Sequence, residues 1–250
     1  MIHRYDTVTS TMDVARRLAT AGARNRSVVV SAEQTVGRGR GGRTWQAPAG
    51  IAVFCTMILR PAVVAARLST LPLVSGVAVA EALERISGSV VRLKWPNDVW
   101  LGAGPEIAKV AGILVTSILR GNAVDYALVG IGINVLAAKD DLPPGATSLY
   151  AATGVAVAPH EVVDAVLDRF DGVYADYLAA DGRPSLAAWI ARAALLREVV
   201  TVEDAGRAIS GVFTGIDEDG GLLIEEPGRA VRKVVAGDLV RGPRTAHQRG

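Results

Sequence analysis

Short apolar runs, punctuated by glycine and proline, set the rhythm of this chain. Val28-Val29-Val30, inside residues 27–32, is a β-branched run that reads as a buried strand. Residues 51–59 read as a second strand, ended by Pro61. Ahead of both, Val14 and Leu18 share a helical face; Thr9, Ser10 or Thr11 can cap that helix and Gly22 can stop it. From Thr70 a long apolar stretch with Pro72 in its first turn predicts a helix to about Ile86, buried on most sides. Residues 90–95 form a strand stopped by Pro96, and 102–105 form a turn. Residues 110–118 and 124–130 flank Gly121-Asn122, which predicts a hairpin. A loop at 140–145 leads to helical stretches near 160–178 and 185–196. The mixture predicts an α+β fold, a mostly antiparallel sheet with helices on one face.

The texture changes at residue 197. Short strands at 199–202, 209–213, 222–224 and 231–235 are separated by Gly206, Asp219-Gly220-Gly221 and Pro227-Gly228. Such spacing predicts a small β-barrel. The expected organisation is a domain over 1–196, a barrel over 197–242 and a tail over 243–250.

Composition narrows the function classes. The chain has 250 residues, half of them hydrophobic, enough for a sizeable core. A net charge of +2 gives no compositional case for a nucleic-acid protein. Cys55 stands alone, so no internal disulfide forms, and His3, His160 and His247 lack metal-ligand spacing. The first residues lack the apolar run of a signal peptide, and no charge-free 18-residue apolar stretch reads as membrane-spanning. A cytoplasmic protein is expected. Lysine occupies only positions 94, 109, 139 and 233 among 27 cationic residues, and two of these fall in the segments below.

The chemistry concentrates in Gly37-Arg38-Gly39-Arg40-Gly41-Gly42-Arg43-Thr44-Trp45. Glycine lets a ligand approach the backbone, arginine matches carboxylate or phosphate, and tryptophan offers a face for stacking. The stretch reads as a mobile loop over an anionic, partly aromatic ligand such as a nucleotide. Taken alone, it equally fits a patch for single-stranded nucleic acid. Three further segments follow: Lys94-Trp95-Pro96-Asn97-Asp98, Lys109-Val110-Ala111-Gly112-Ile113-Leu114 and Gly130-Ile131-Gly132-Ile133-Asn134.

In this order, together with Ser10-Thr11 and Glu33-Gln34, these segments resemble the biotin–protein ligase (biotin–acetyl-CoA-carboxylase ligase) family over nearly the whole chain. The resemblance implies a class II synthetase-like catalytic domain shared with lipoate ligases, plus an SH3-like C-terminal barrel. It implies the monofunctional type, without the DNA-binding domain of some members, and allows a homodimer. The implied reaction has two steps. Biotin and ATP give biotinoyl-5′-AMP and pyrophosphate, and a lysine of a biotin carboxyl carrier domain then takes the biotin. Mg²⁺ is expected with ATP.

The resemblance also implies residue roles. Lys109 would bridge the biotin carboxylate and the α-phosphate, with Arg40 as second catalytic cation. Ser10, Thr11 and Gln34 would bind the ureido ring. Gly37, Arg38 and Gly39 would line the biotin tail, and Gly112 would leave it room. Arg40, Arg43, Trp45, Lys94, Asn97 and Asn134 would bind ATP. Asn97 and Asp98 would hold metal, or orient the incoming lysine. Two positions depart from the family pattern: Met12 stands where Asn is usual, and Thr116 where Glu is usual. A lipoate ligase is the neighbouring alternative; the arginine-rich loop with Trp45 and the Lys94 to Asp98 stretch favour biotin. None of the matched segments lies in the barrel, so its removal is expected to spare the pocket.

Overall fold

The computed structural model of the chain describes residues 1–102, 104–179, 182–204 and 207–242. The expected tail at 243–250 and the turn at Gly206 lie outside these residues. In chain order the first half contains β1 (Ile2–Val8), α1 (Thr11–Thr20), β2 (Ser27–Gln34), β3 (Ala52–Leu59), α2 (Leu71–Ser87), β4 (Val91–Lys94), β5 (Asp98–Leu101), β6 (Ala108–Arg120) and β7 (Ala123–Asn134). There follow α3 (Leu149–Thr153), α4 (Pro159–Ala179) and α5 (Arg183–Ala191). The C-terminal strands are β8 (Val199–Asp204), β9 (Arg207–Ile216), β10 (Leu222–Glu225), β11 (Val231–Val234) and β12 (Asp238–Arg241).

Seven strands form one sheet in the order β1-β2-β3-β7-β6-β5-β4. β1 runs parallel to β2, and the other ladders are antiparallel. The inner strands are apolar on both faces. Val28, Met57 and Val129 face a core built with α2 and α4, while Val29, Ile58 and Leu128 face a second cluster. α1 covers that second cluster with Met12, Val14, Ala15 and Ala19. The expectation of helices on one face is therefore corrected: α1 packs on the face opposite α2 and α4.

Ser10 caps α1, its hydroxyl accepting the Met12 N–H at 3.3 Å. Thr70 precedes α2 but does not cap it. Its hydroxyl turns back to the Arg67 carbonyl at 2.8 Å, because a 3-10 turn over Ala65–Thr70 leads directly into the helix. The combined helix, Ala65–Ser87, is long and apolar enough to cross a membrane, but 67% of its most apolar window is buried inside the protein, as expected of a core helix. α5 stops at Ala191, ahead of the expected 196, and Leu195 and Arg197 beyond it adopt left-handed backbone with φ of 67°.

The C-terminal strands form a five-stranded antiparallel sheet in the order β11-β10-β9-β8-β12. Its inner side chains, among them Val202, Phe213, Leu222 and Ile224, belong to the same continuous core as α2 and α5. Trp95 fastens the two sheets together. It is 3% exposed, and its indole N–H donates to the Gly220 carbonyl at 3.0 Å. Trp95→Phe, which leaves that buried carbonyl without a donor, should destabilise the protein by about 1–3 kcal/mol. Trp95→Ala, which also opens a cavity, should cost about 3–5 kcal/mol. Urea unfolding measures both; a loss near zero for each would remove Trp95 as the fastener.

Candidate active site

The face of the large sheet that α1 leaves uncovered is a trough. On β7, Gly130 and Gly132 continue the row begun by Tyr126 and Leu128, and on β6 Gly112 pairs directly with Gly132. Removing three side chains from one face opens the floor. Trp45 fills part of it: a Cβ on Gly132 would lie 2.6 Å from the indole, and one on Gly112 would lie 3.1 Å from it. The floor accepts an aromatic ring because those side chains are missing.

Lys109 reaches this floor through a β-bulge. The β5–β6 register slips between Val99 and Trp100, so Val99 pairs with Ala111 and Trp100 with Lys109. In an unbroken strand, positions 109 and 112 would face opposite sides; the extra residue turns Lys109 onto the Gly112 face. A Cβ at Gly112 would meet Lys109 Nζ at 3.3 Å. Lys109 Nζ pairs with Asp98 Oδ1 at 2.6 Å and lies 5.4 Å from the Trp45 ring centroid.

Two cavities meet at Arg43, Thr44, Trp45 and Lys109. The first, about 130 Å³, runs from Lys109 to a head region under α1. There the Thr11 N–H and hydroxyl both donate to Gln34 Oε1, at 2.7 and 3.0 Å, and Thr56 donates to Thr11 Oγ1 at 2.8 Å. With Oε1 doubly occupied, the Gln34 amide nitrogen is left as a donor for a ligand. Ser10 is fully buried beside it. Met12 and Cys55 close the apolar side. Met12 is seated by Gly130, whose Cβ would come 2.7 Å from Sδ. Burial pushes the Cys55 thiol up to about 12, so it is no nucleophile at neutral pH. The second cavity, about 390 Å³, lies between Trp45, Asn134 and the Pro143-Pro144 loop. The Asn134 amide donates to the Thr147 carbonyl at 3.0 Å, which fixes its orientation.

The arginine loop roofs the first cavity as a small hairpin. Gly39 N donates to Arg43 O at 2.7 Å and Trp45 N to Gly37 O at 3.1 Å, with Gly41 and Gly42 at φ of 65° and 77°. Each loop arginine is ion-paired: Arg38 to Asp13 at 2.9 Å, and Arg40 and Arg43 both to Asp238. An open patch of unpaired arginines for a nucleic-acid backbone is therefore not what the loop presents. The site instead holds its cations preassembled on carboxylates.

Of the residues anticipated from sequence, Ser10, Thr11, Gln34, Arg38, Gly39 and Arg40 line the first cavity, as do Asn97, Asp98 and Gly112. Arg43, Trp45 and Lys109 line both cavities, and Asn134 lines the second. Gly37 and Lys94 line neither. A Cβ at Gly37 would strike the Trp45 carbonyl at 1.9 Å, so this glycine closes the hairpin. Lys94 lies over the Trp100 ring at 5.1 Å; burial lowers its pKa, Asp98 opposes that shift, and Lys109 adds to it. Asn97 donates its amide to Ile113 O at 2.9 Å and so braces β6. Thr116, on β6, pairs with Leu128 of β7 and lines neither cavity. Asp13 and Asp238 were not anticipated. Asp13 could have been found as a first-turn helix residue beside Ser10 and Thr11. Asp238 carries no local signal.

Residues 5–134 match the biotin/lipoate A/B protein ligase family, and residues 198–242 match the biotin protein ligase C-terminal domain. The biotin–[acetyl-CoA-carboxylase] ligase of Paracoccus denitrificans is 40% identical over 211 residues, covering 81% of this chain and 86% of that one. The bifunctional ligase/repressor BirA of Bacillus subtilis is 31% identical, covering 95% of this chain and 73% of that one. The biotin protein ligase of Aquifex aeolicus, solved in complex with biotin and ATP, superposes with a TM-score of 0.80 at 31% identity, covering 96% of this chain and 99% of that one. This chain belongs to the biotin/lipoate A/B protein ligase family.

Proposed function

We infer that this protein is a biotin–protein ligase that activates biotin with ATP and passes it to a lysine of a biotin carboxyl carrier domain. The observation that carries the mechanism is the meeting of two cavities at Lys109 under an arginine loop. Biotin fits the first cavity, with its ureido ring at Ser10, Thr11 and Gln34 and its valeryl tail running past Arg38 and Gly39 toward Lys109. ATP fits across the second, with adenine against Trp45 beside Asn134 and its phosphates toward Arg40 and Arg43. The three cations are held by Asp98 and Asp238 at the junction where a carboxylate must meet a polyphosphate.

In the first step a biotin carboxylate oxygen forms a bond to the α-phosphorus, and the bond to the leaving pyrophosphate breaks. Lys109 places an ammonium between two anions that otherwise repel, and serves the charge that grows on the phosphoryl oxygens. In the second step the neutral amine of the acceptor lysine attacks the acyl carbon, AMP leaves with the bonding pair, and the nitrogen gives up a proton to solvent to leave the amide. Asp98, 2.6 Å from Lys109 Nζ, is the carboxylate placed to orient that incoming amine. Among the described residues no cluster of three or more metal-ligating side chains exists, so the donor set is not a dedicated metal cage. Mg²⁺ accompanying ATP fits this site, because it binds through phosphates, water and one or two carboxylates; Asp98 with Asn97 would provide the protein contact and Mg²⁺ would neutralise phosphate charge. The use of ATP suits a cytoplasmic enzyme.

The reading is tested by single-turnover kinetics of the two half-reactions. Lys109→Ala should slow biotinoyl-AMP formation on the order of 10²-fold or more, the scale of one preorganised charge-stabilising donor. Lys109→Arg should also be slow, because the planar fork is wider than the ammonium seated against Gly112. Biotin affinity, and transfer from pre-formed biotinoyl-AMP, should suffer less. Adenylation by Lys109→Ala at the parent rate would reduce Lys109 to a strand residue.

Trp45 and its seat make a second test. Trp45→Ala should weaken binding of a non-hydrolysable ATP analogue by about 1–3 kcal/mol, the range for stacking on a base. Gly132→Ala should act in the same direction, since its Cβ would displace the indole from 2.6 Å. Calorimetry on the biotin-loaded protein reads both; a larger loss in nucleotide-free biotin binding would take Trp45 out of the nucleotide site.

A further inference from the structure

The C-terminal sheet reaches the substrate site at one corner, Gly237-Asp238, where β12 begins. Gly237 holds a φ of 128°, and a Cβ there would sit 2.5 Å from Val202 Cγ1 and 2.7 Å from the Glu203 carbonyl. The corner therefore has no room for a side chain at position 237. The Gly237 carbonyl and one oxygen of the Asp238 carboxylate are both taken by the arginine loop. The Gly237 carbonyl takes Arg40 Nη2 at 2.7 Å, while Asp238 Oδ1 takes Arg40 Nη2 and, at 3.1 Å, Arg43 Nη2. Burial pushes the Asp238 carboxyl up, but the charges and hydrogen bonds of Arg40 and Arg43 outweigh it and hold the pKa below the ordinary carboxylate value.

The geometry serves a ligand as well as the loop. A guanidinium carries five N–H donors in a planar fork, so a carboxylate on one edge leaves the others for phosphate. Arg40 Nε is buried and has no partner among the described residues. Both arginines line the first cavity, and Arg43 lines the second as well. Two like charges on a hairpin that contains Gly39, Gly41 and Gly42 would otherwise repel and sample many poses. One carboxylate anchored in a separate sheet neutralises part of that repulsion and fixes both groups.

We propose that Asp238 is a positioning residue for the polyphosphate of ATP: from the C-terminal sheet it holds Arg40 and Arg43 in one pose and keeps the arginine loop shut over the acyl-adenylate. The proposal rests on the reading of the site as a biotin–protein ligase, and it gives the C-terminal sheet a part in adenylation. It also revises the expectation that removing that sheet spares the pocket.

The test uses the full chain with Asp238→Asn and Asp238→Glu. Asp238 is about half exposed, so the isosteric amide should fold. In Asp238→Asn, KM for ATP should rise about tenfold, the scale of one charge-assisted hydrogen bond lost. The turnover number should change less, and the affinity for biotin without nucleotide should stay at the parent value. Pre-formed biotinoyl-AMP should leave the variant faster. Asp238→Glu should restore most of the ATP affinity, which a purely structural role does not predict. Hydrogen exchange of residues 37–45 reads the clamp without any substrate: faster in Asp238→Asn, near the parent rate in Asp238→Glu. An unchanged KM for ATP in Asp238→Asn overturns the proposal, as does a loss of biotin affinity equal to that for ATP, or equal loop exchange in all three proteins. If the parent protein forms no biotinoyl-AMP, the reading of the site fails instead, and the exchange measurement still decides whether Asp238 holds the loop.

Discussion

A row of missing side chains on one sheet face is the constraint on which this site depends. Gly130 and Gly132 on β7, with Gly112 paired across on β6, open a floor that apolar residues would otherwise fill, as Tyr126 and Leu128 do further along the same strand. The opposite face of these strands carries Val129, Ile131 and Ile133 into the main core, so the floor stays rigid while its open side takes a ring. A cavity built on paired strands moves less than one built on loops, and catalysis of a reaction between two anions needs fixed charges rather than many charges.

The electrostatics follow from that floor. Each cation facing it is already held by a carboxylate: Lys109 by Asp98, Arg38 by Asp13, Arg40 and Arg43 by Asp238. Exposed ion pairs of this kind contribute little to stability. Their effect here is geometric, because they place ammonium and guanidinium groups before any ligand arrives. Asp13 lies on α1, Asp98 on β5 and Asp238 at the start of β12, so three separate parts of the fold set the positions of one anion-binding surface.

Much of this was legible in the sequence, for physical reasons that can be named. The β-branched run at Val28 to Val30, the hairpin around Gly121-Asn122 and the apolar helix after Thr70 are local patterns, and local patterns are what a sequence displays. β1 escaped notice because it is an edge strand with mostly exposed positions and no clear alternation. β5 is four residues long and sits directly after the Pro96 that reads as a stop. The helix α1 looked like any amphipathic helix; which face it covers depends on β2, β3 and β7 being apolar on both sides. Among the site residues, the glycine loop, Lys109 and Asn134 could be singled out by residue type and order. The bulge that turns Lys109 toward Gly112 leaves no mark in residue identity, and the pairing of Arg40 with Asp238, 198 positions apart, leaves none in local pattern.

The measurement that bears most directly on this account is a crystal structure of the protein with biotinoyl-5′-AMP. The account predicts the ureido ring among Ser10, Thr11 and Gln34, the phosphate linkage at Lys109, and adenine against Trp45 beside Asn134, with the indole still seated over Gly112 and Gly132. An adenylate bound elsewhere, or one lying across this floor with Lys109 turned away from the phosphate, would contradict it.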